Sequence, residues 1–543
     1  MLRLSKPYRK IYLSFWGVGV LSSLALAVPP APGQAWPGGK ACFVNSKAAA
    51  NRLSPALGAA GFASLPPSYN IFVIRVQFPD RALTTNTASA FFQKVQEYYK
   101  ENSFNNFSPI FTIGPVFTLP NVEAVYGGNC GGDVACHVPR LIQDSVSAAI
   151  PSIDFRQYDQ IMIYHAGYGE ESRGPTSDIW SLFFPSTDMA HYGYGPISAD
   201  GKPFDGATIV PELEHGASAL GVICHEYGHQ LGLPDLYNTA ASGGISVVGA
   251  WDLMDYPWMG NPQGSNPPHL GAWSKRFLGF GTQDVLTSSG TIALTPMELS
   301  PGRSVEIPIG SEYFLVEYRT TTAAQFDASL PQSAGLAVWH VDPALAENQT
   351  ILDQNTVNNP SQNGKGHYGV DLIEADGRAV YPPGGADLWS NGQTLSAPAS
   401  NLFSVAVSSL VMTGIRGVGS PTVTAQIFYR PTQSSQSIMS AMSFPNPARG
   451  KVRAEAPPGT LATFRIQLAR PPSALKATLY TILGQRVIEV PYSSFKDTGD
   501  LDWRYDCDWN GKDENGADVA SGVYYLQFEV DGEKIRKPIV VQR

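Results

Sequence analysis

The chain has 543 residues, with 46 Asp and Glu against 37 Lys and Arg and a net charge of −9. That acidic balance excludes an electrostatic nucleic-acid binder, and the length provides for two or three domains. Only 15% of residues are charged while Gly (53), Pro (43) and Tyr (24) are plentiful, which excludes a disordered or coiled-coil chain and points to a β-rich, turn-rich exported one.

In chain order, Arg3, Lys6, Arg9 and Lys10 precede an apolar run over residues 11–28, and Ala25-Leu26-Ala27 has the small-x-small pattern of a cleavage site. Residues 1–27 therefore read as a signal peptide. The alternative, an uncleaved membrane anchor, is disfavoured because Pro29, Pro30 and Pro32 follow at once. Residues 28–67, rich in Pro, Gly and Ala without a sustained period, read as a short pro-segment or spacer. Residues 71–78 (IFVIRVQF) read as a strand, 88–100 (ASAFFQKVQEYYK) as an amphipathic helix, 139–150 as a second helix and 161–164 as a buried strand. A helix starting near Ser218 follows, then another over 267–278 (PPHLGAWSKRFL). From about Thr282 to about Tyr429 short apolar runs alternate with turn residues, as in a β-rich region. Residues 431–437 (PTQSSQS) form a polar linker, and 438–543 alternate strands and turns as an antiparallel β-sandwich does. The fold class is thus α+β. Residues 68–281 read as one domain and 282–430 as a β-rich domain that follows it.

Five cysteines are present, Cys42, Cys130, Cys136, Cys224 and Cys507. In an oxidising compartment the short loop between Cys130 and Cys136 makes that pair the expected disulfide. Cys224 reads as a small buried apolar residue. Cys42, in the spacer, is a candidate cap for a metal or a disulfide partner.

The chemistry concentrates in residues 224–237, CHEYGHQLGLPDLY. His225 and His229, four apart, lie one helical turn apart on one face, with Glu226 beside them. Two imidazoles and a carboxylate would hold Zn2+ with one tetrahedral position open for water, whose pKa the metal lowers to about 7. Glu226 is then the general base. No Glu occurs between Glu226 and Glu298, so a downstream glutamate is not the third ligand. Asp235, Asp252, Asp255 and His269 remain. Asp235 is favoured because Gly232 ends the helix and turns the chain back, and because HExxHxxG runs from His225 to Gly232 with Asp235 where metzincins place their third histidine. Met254 falls where a Met-turn would lie, beneath the metal, although a Met in an apolar segment is more often plain core, and Tyr256 is a candidate hydrogen-bond donor to an oxyanion. His165, His215 and His340 read as structural. Residues 508–516 (DWNGKDENG) read as a turn rather than a calcium loop.

At IFVIRVQFPD, EYYKENSF, IYHAGYGEE, VICHEYGHQLGLPDLY, VVGAWDLMDY, HLGAWSKRFLG, EYFLVEYR and GLAVWHVD the sequence resembles the M6 family of secreted metallopeptidases, the immune inhibitor A type, over about residues 70–375. The resemblance implies a metzincin-like fold, His225, His229 and Asp235 as zinc ligands, Glu226 as base, structural calcium with no ligand named, and protein or peptide substrates. SFPNPARG, ATLYTILGQRV, DWNGKDENG and ASGVYYLQF resemble type IX secretion sorting tails and FlgD-like immunoglobulin-type modules, which implies export through a Gram-negative envelope and engagement of outer-membrane secretion machinery. The expectation is a monomeric, secreted or surface-held zinc endopeptidase. A surface adhesion protein built on an inactive peptidase scaffold is the alternative.

Overall fold

The computed structural model describes residues 26–27, 29, 31, 65–131, 133–172, 174–239, 246–299, 301–378, 386–403, 410–428, 438–446, 448, 458–468, 472, 474–497 and 504–543. The linker at 431–437, Cys42 and most of the signal and spacer segments lie outside them.

The first layer is a six-stranded sheet of β1 (Leu26–Ala27), β2 (Asn70–Gln77), β3 (Ile110–Thr118), β4 (Gln160–Tyr168), β5 (Leu182–Pro185) and β8 (Gly206–Leu213), in the order β1-β5-β8-β4-β2-β3; β6 (Ser198–Ala199) and β7 (Lys202–Pro203) form a separate hairpin. β3, β2, β4 and β8 run parallel, while β5 pairs antiparallel with β8 on one side and with β1 on the other. Central parallel strands are covered on both faces and so read as unbroken apolar runs. β4 accordingly buries every residue from Gln160 to Gly167.

Helix α1 (Ala88–Asn102) and helix α3 (Leu220–Gln230) lie on one face of this sheet, and α2 (Val138–Ala149) lies on the other among Phe72, Ile74, Ile161 and Ile163. α1 buries Phe92, Val95, Tyr98, Tyr99 and Asn102 at helical spacing. Every residue of α3 is buried. Thr208 Oγ1 donates to Gln230 Oε1 at 2.7 Å and Tyr227 Oη to Gln160 Oε1 at 3.2 Å, fastening α3 to the sheet.

The expected helix over 267–278 is shorter: α4 spans Ala272–Phe277. Pro267 and Pro268 stay outside it, and Gly271, in extended conformation (φ −72°, ψ 174°), starts it. A second sheet holds β9 (Thr282–Val285), β11 (Arg303–Ile309), β12 (Glu312–Thr320), β13 (Ala334–Val341) and β14 (Val370–Leu372), in the order β14-β13-β12-β11-β9. A third holds β10 (Gly290–Leu294), β15 (Val411–Arg416) and β16 (Val423–Phe428). The second and third sheets enclose one apolar cluster that includes Ile307, Phe314, Val316, Leu395, Met412 and Ile427. The other face of the second sheet carries Tyr313, Leu315, Ala337 and Trp339 into the same core as α1, α3 and Trp273, so one continuous core crosses residue 282. Helix α5 (Gln349–Asp353) precedes β14 and starts at Asn348, whose Oδ1 accepts from Thr350 N at 3.0 Å.

The last region has two four-stranded antiparallel sheets about one core that includes Phe464, Ile466, Leu479, Trp509, Leu526 and Phe528. Cys130 and Cys136 are disulfide-bonded; Cys224 and Cys507 are buried free thiols. No helix among the described residues is long and apolar enough to cross a membrane.

Candidate metal centre

His225, Glu226 and His229 come from α3, and Asp235 from the turn that follows. Gly232 adopts φ 106°, a left-handed conformation open to glycine, and this reverses the chain directly after the helix. Gly232 N donates to His229 O at 2.9 Å and Leu233 N to Gly228 O at 3.1 Å, satisfying carbonyls at the helix end.

Three atoms converge. His225 Nε2 and His229 Nε2 are 3.1 Å apart, and Asp235 Oδ1 lies 3.1 Å from the first and 3.2 Å from the second. All four residues are buried, none more than 1% exposed. Each imidazole also has a main-chain carbonyl on its other nitrogen: His225 Nδ1 lies 3.0 Å from Leu253 O and His229 Nδ1 2.8 Å from Leu233 O. A carbonyl only accepts, so both Nδ1 atoms carry the proton and both Nε2 atoms present lone pairs. Asp235 Oδ1 receives no hydrogen bond. Two nitrogen lone pairs and one carboxylate oxygen thus face one another with no donor between them, an arrangement that a cation resolves. The spacing fits as well, since ligands about 2.0–2.1 Å from a tetrahedral zinc ion stand ~3.3 Å apart.

The electrostatics favour the ligating forms. Burial lowers the basicity of His225.

The other third-ligand candidates are engaged with the main chain or with other side chains. Asp252 accepts from Met254 N at 2.7 Å and from Gly271 N at 2.8 Å. Asp255 accepts from the amides of Val247, Val248 and Gly249, at 2.7, 2.6 and 2.9 Å. His269 pairs with Glu101 at 2.7 Å and takes Lys275 Nζ at 3.2 Å. Met254 is fully buried and lies against Gly228 of α3. Tyr256 is 9% exposed, and its N–H donates to Asp252 O at 3.1 Å. His165 is fully buried, with Nδ1 on Ala166 O at 2.9 Å, and burial lowers it to about 4. His340 is stacked between Phe314 and Phe403. Burial pushes the Cys224 thiol up, in keeping with a packing role.

One contact was not legible from the sequence. Asp235 N donates to Asn355 Oδ1 at 2.7 Å, and Asn355 Nδ2 donates to Asp235 Oδ2 at 2.6 Å. The two residues are 120 positions apart, and no local pattern announces such a pair.

Residues 156–282 match the family model described as Immune inhibitor A peptidase M6, catalytic domain. The chain is 29% identical over 231 residues to the pre-pro-metalloprotease PrtV of Vibrio cholerae, covering 37% of this chain and 25% of that protein. It is 28% identical over 220 residues to immune inhibitor A of Bacillus thuringiensis subsp. alesti, covering 34% and 31% respectively. The matched stretch therefore spans about a quarter to a third of the length of these curated relatives. The solved structure of PorZ, a surface component of the type-IX secretion system of Porphyromonas gingivalis, aligns over 45% of this chain and 22% of its own at 12% identity. Its TM-score of 0.15 is too low to carry an argument.

Proposed function

We propose that the chain is a secreted zinc endopeptidase of the M6 type, with His225, His229 and Asp235 holding the ion and Glu226 as general base. The observation that carries this reading is the triangle of three lone-pair atoms, 3.1–3.2 Å on a side, one residue from a buried glutamate. The match of residues 156–282 to a metallopeptidase catalytic domain supports it.

When bound, zinc would act as a Lewis acid and lower the pKa of a water molecule to about 7. Glu226 takes the proton as water attacks the peptide carbonyl and returns it to the leaving amine. The bonds from both Nδ1 atoms to Leu233 O and Leu253 O fix the imidazole orientations, so the ligand set is formed before the ion arrives. The metzincin-like architecture, the structural calcium and the single-chain state belong to the same reading. So does the assignment of residues 438–543 as a sorting or attachment module, which rests on the motif order of that segment.

The test is hydrolysis of casein with metal analysis. The wild-type chain should carry one zinc, lose activity to a chelator and regain it with zinc. Glu226→Gln should keep the zinc and lose activity by a factor of roughly 10²–10⁴. A chain without zinc that cleaves no protein would instead behave as an adhesion scaffold.

A further inference from the structure

Asn355 stands just past the end of α5, where its N–H donates to Leu352 O at 3.0 Å and its φ is 51°. A helix ends in this left-handed conformation through Gly or Asn, and glycine meets the backbone requirement alone. The asparagine side chain does something further. Its oxygen accepts the Asp235 N–H and its nitrogen donates to Asp235 Oδ2, which fixes both the main chain and the side chain of Asp235 in the turn after α3. The amide orientation is unambiguous, because an N–H and a carboxylate demand opposite ends of it.

The turn that carries Asn355 is itself anchored. Asn358 Nδ2 donates to Leu236 O and to Val370 O, both at 2.7 Å, while its Oδ1 accepts from Gly369 N and Val370 N. Asn355 and Asn358 are buried, at 4% and 1% exposure. The loop after the helix is thereby tied to β14 of the second sheet. A carboxylate free to rotate can offer both oxygens to a cation. With Oδ2 engaged by Asn355, Asp235 offers Oδ1 alone, and Oδ1 is the atom that faces the two histidines.

We propose that Asn355 is a positioning residue of the metal centre: it holds Asp235 in one-oxygen ligation, so that a site whose direct ligands lie within residues 225–235 is completed from beyond the matched stretch 156–282. The proposal rests on the zinc reading above.

Two variants test it, Asn355→Gly, which keeps the backbone conformation and removes the amide, and Asn355→Asp, which keeps the acceptor for Asp235 N but replaces the donor to Oδ2 by a like charge. Zinc affinity is read by competition with a chromophoric chelator, and site geometry from the visible spectrum of the cobalt-substituted chain. Both variants should bind zinc more weakly, by roughly 10–100-fold, and should show an altered cobalt spectrum, while the thermal midpoint of the metal-free Gly variant stays close to that of the metal-free wild type. Wild-type affinity together with an unchanged spectrum in both variants overturns the proposal. If Asn355→Gly does not fold, Asn355→Asp alone decides between the same two results. A wild-type chain that takes up no zinc overturns the zinc reading instead, and the inference falls with it.

Discussion

Gly221 of α3 lies so close to the main-chain carbonyl of Pro257 that a methyl group on it would overlap the oxygen. Its own N–H donates to Gly264 O at 2.9 Å, so α3 is seated by its first turn directly on the 257–264 segment. In a free helix Gly→Ala gains about 1 kcal/mol. Here the new methyl meets backbone, and overpacking of that kind costs typically 1–3 kcal/mol. Gly221→Ala should therefore lower the urea midpoint. A raised midpoint would show that the seat yields easily.

Arg319 has no exposed surface. It donates to Asp327 through Nε and Nη2, each at 2.9 Å, and to Trp251 O at 2.8 Å, three residues before Met254. Asp327 Oδ1 in turn accepts His269 N at 2.7 Å. Removing the cation leaves buried carboxylates uncompensated, which costs about 3–5 kcal/mol. Arg319→Met should show a loss of that size in chemical unfolding, and Asp327→Asn alongside it should recover part of it.

A third prediction concerns pH. Glu170, Glu171, Asp178 and Glu214 gather where β4 and β8 end, all 5% exposed or less. Glu171 Oε1 and both oxygens of Glu214 accept no hydrogen bond. Burial raises all four, Glu170 to about 8, and Glu171 raises Glu214 further. Carboxyls raised in the folded state bind more protons there than in the unfolded chain, so their contribution to stability is full below the ordinary carboxyl range and is lost as pH rises towards 8. Glu214→Gln, which stays neutral, should match the wild type near pH 4 and exceed its thermal midpoint by a margin that grows up to pH 8. A margin independent of pH would mean that Glu214 does not titrate in this window.

The core that crosses residue 282 gives a fourth prediction. A chain cut after that residue loses Tyr313, Leu315 and Trp339 from the cluster around α1 and α3, and loses Arg319 and Asn355 as well. Such a fragment should be degraded rapidly in limited proteolysis and lack a cooperative thermal transition. A protease-resistant fragment would place the folding unit within the matched stretch.

How far the sequence reveals this arrangement depends on the range of each interaction. His225, Glu226 and His229 follow from helical spacing, and Gly232 from the turn it makes, because all are local. α1 was readable from Phe92, Val95 and Tyr98 for the same reason. β3 and β8 are not recognisable as strands from sequence, since Gly114 and Pro115 interrupt the first and Pro211 the second. β3 is an edge strand with mostly exposed or half-buried residues, where such interruptions cost little. β5 has only four residues and owes its place to pairing with β8. Asn355 was invisible because its partner is 120 positions away and its local sequence suggests nothing beyond a polar turn.

That separation has a consequence in time. A chain is made from its N-terminus, so the two histidines and the aspartate emerge well before the amide that bonds the aspartate. During synthesis the turn after α3 would emerge while the Asn355 turn and β14 that anchor it are still to come, so this part of the fold stays incomplete until they have been added.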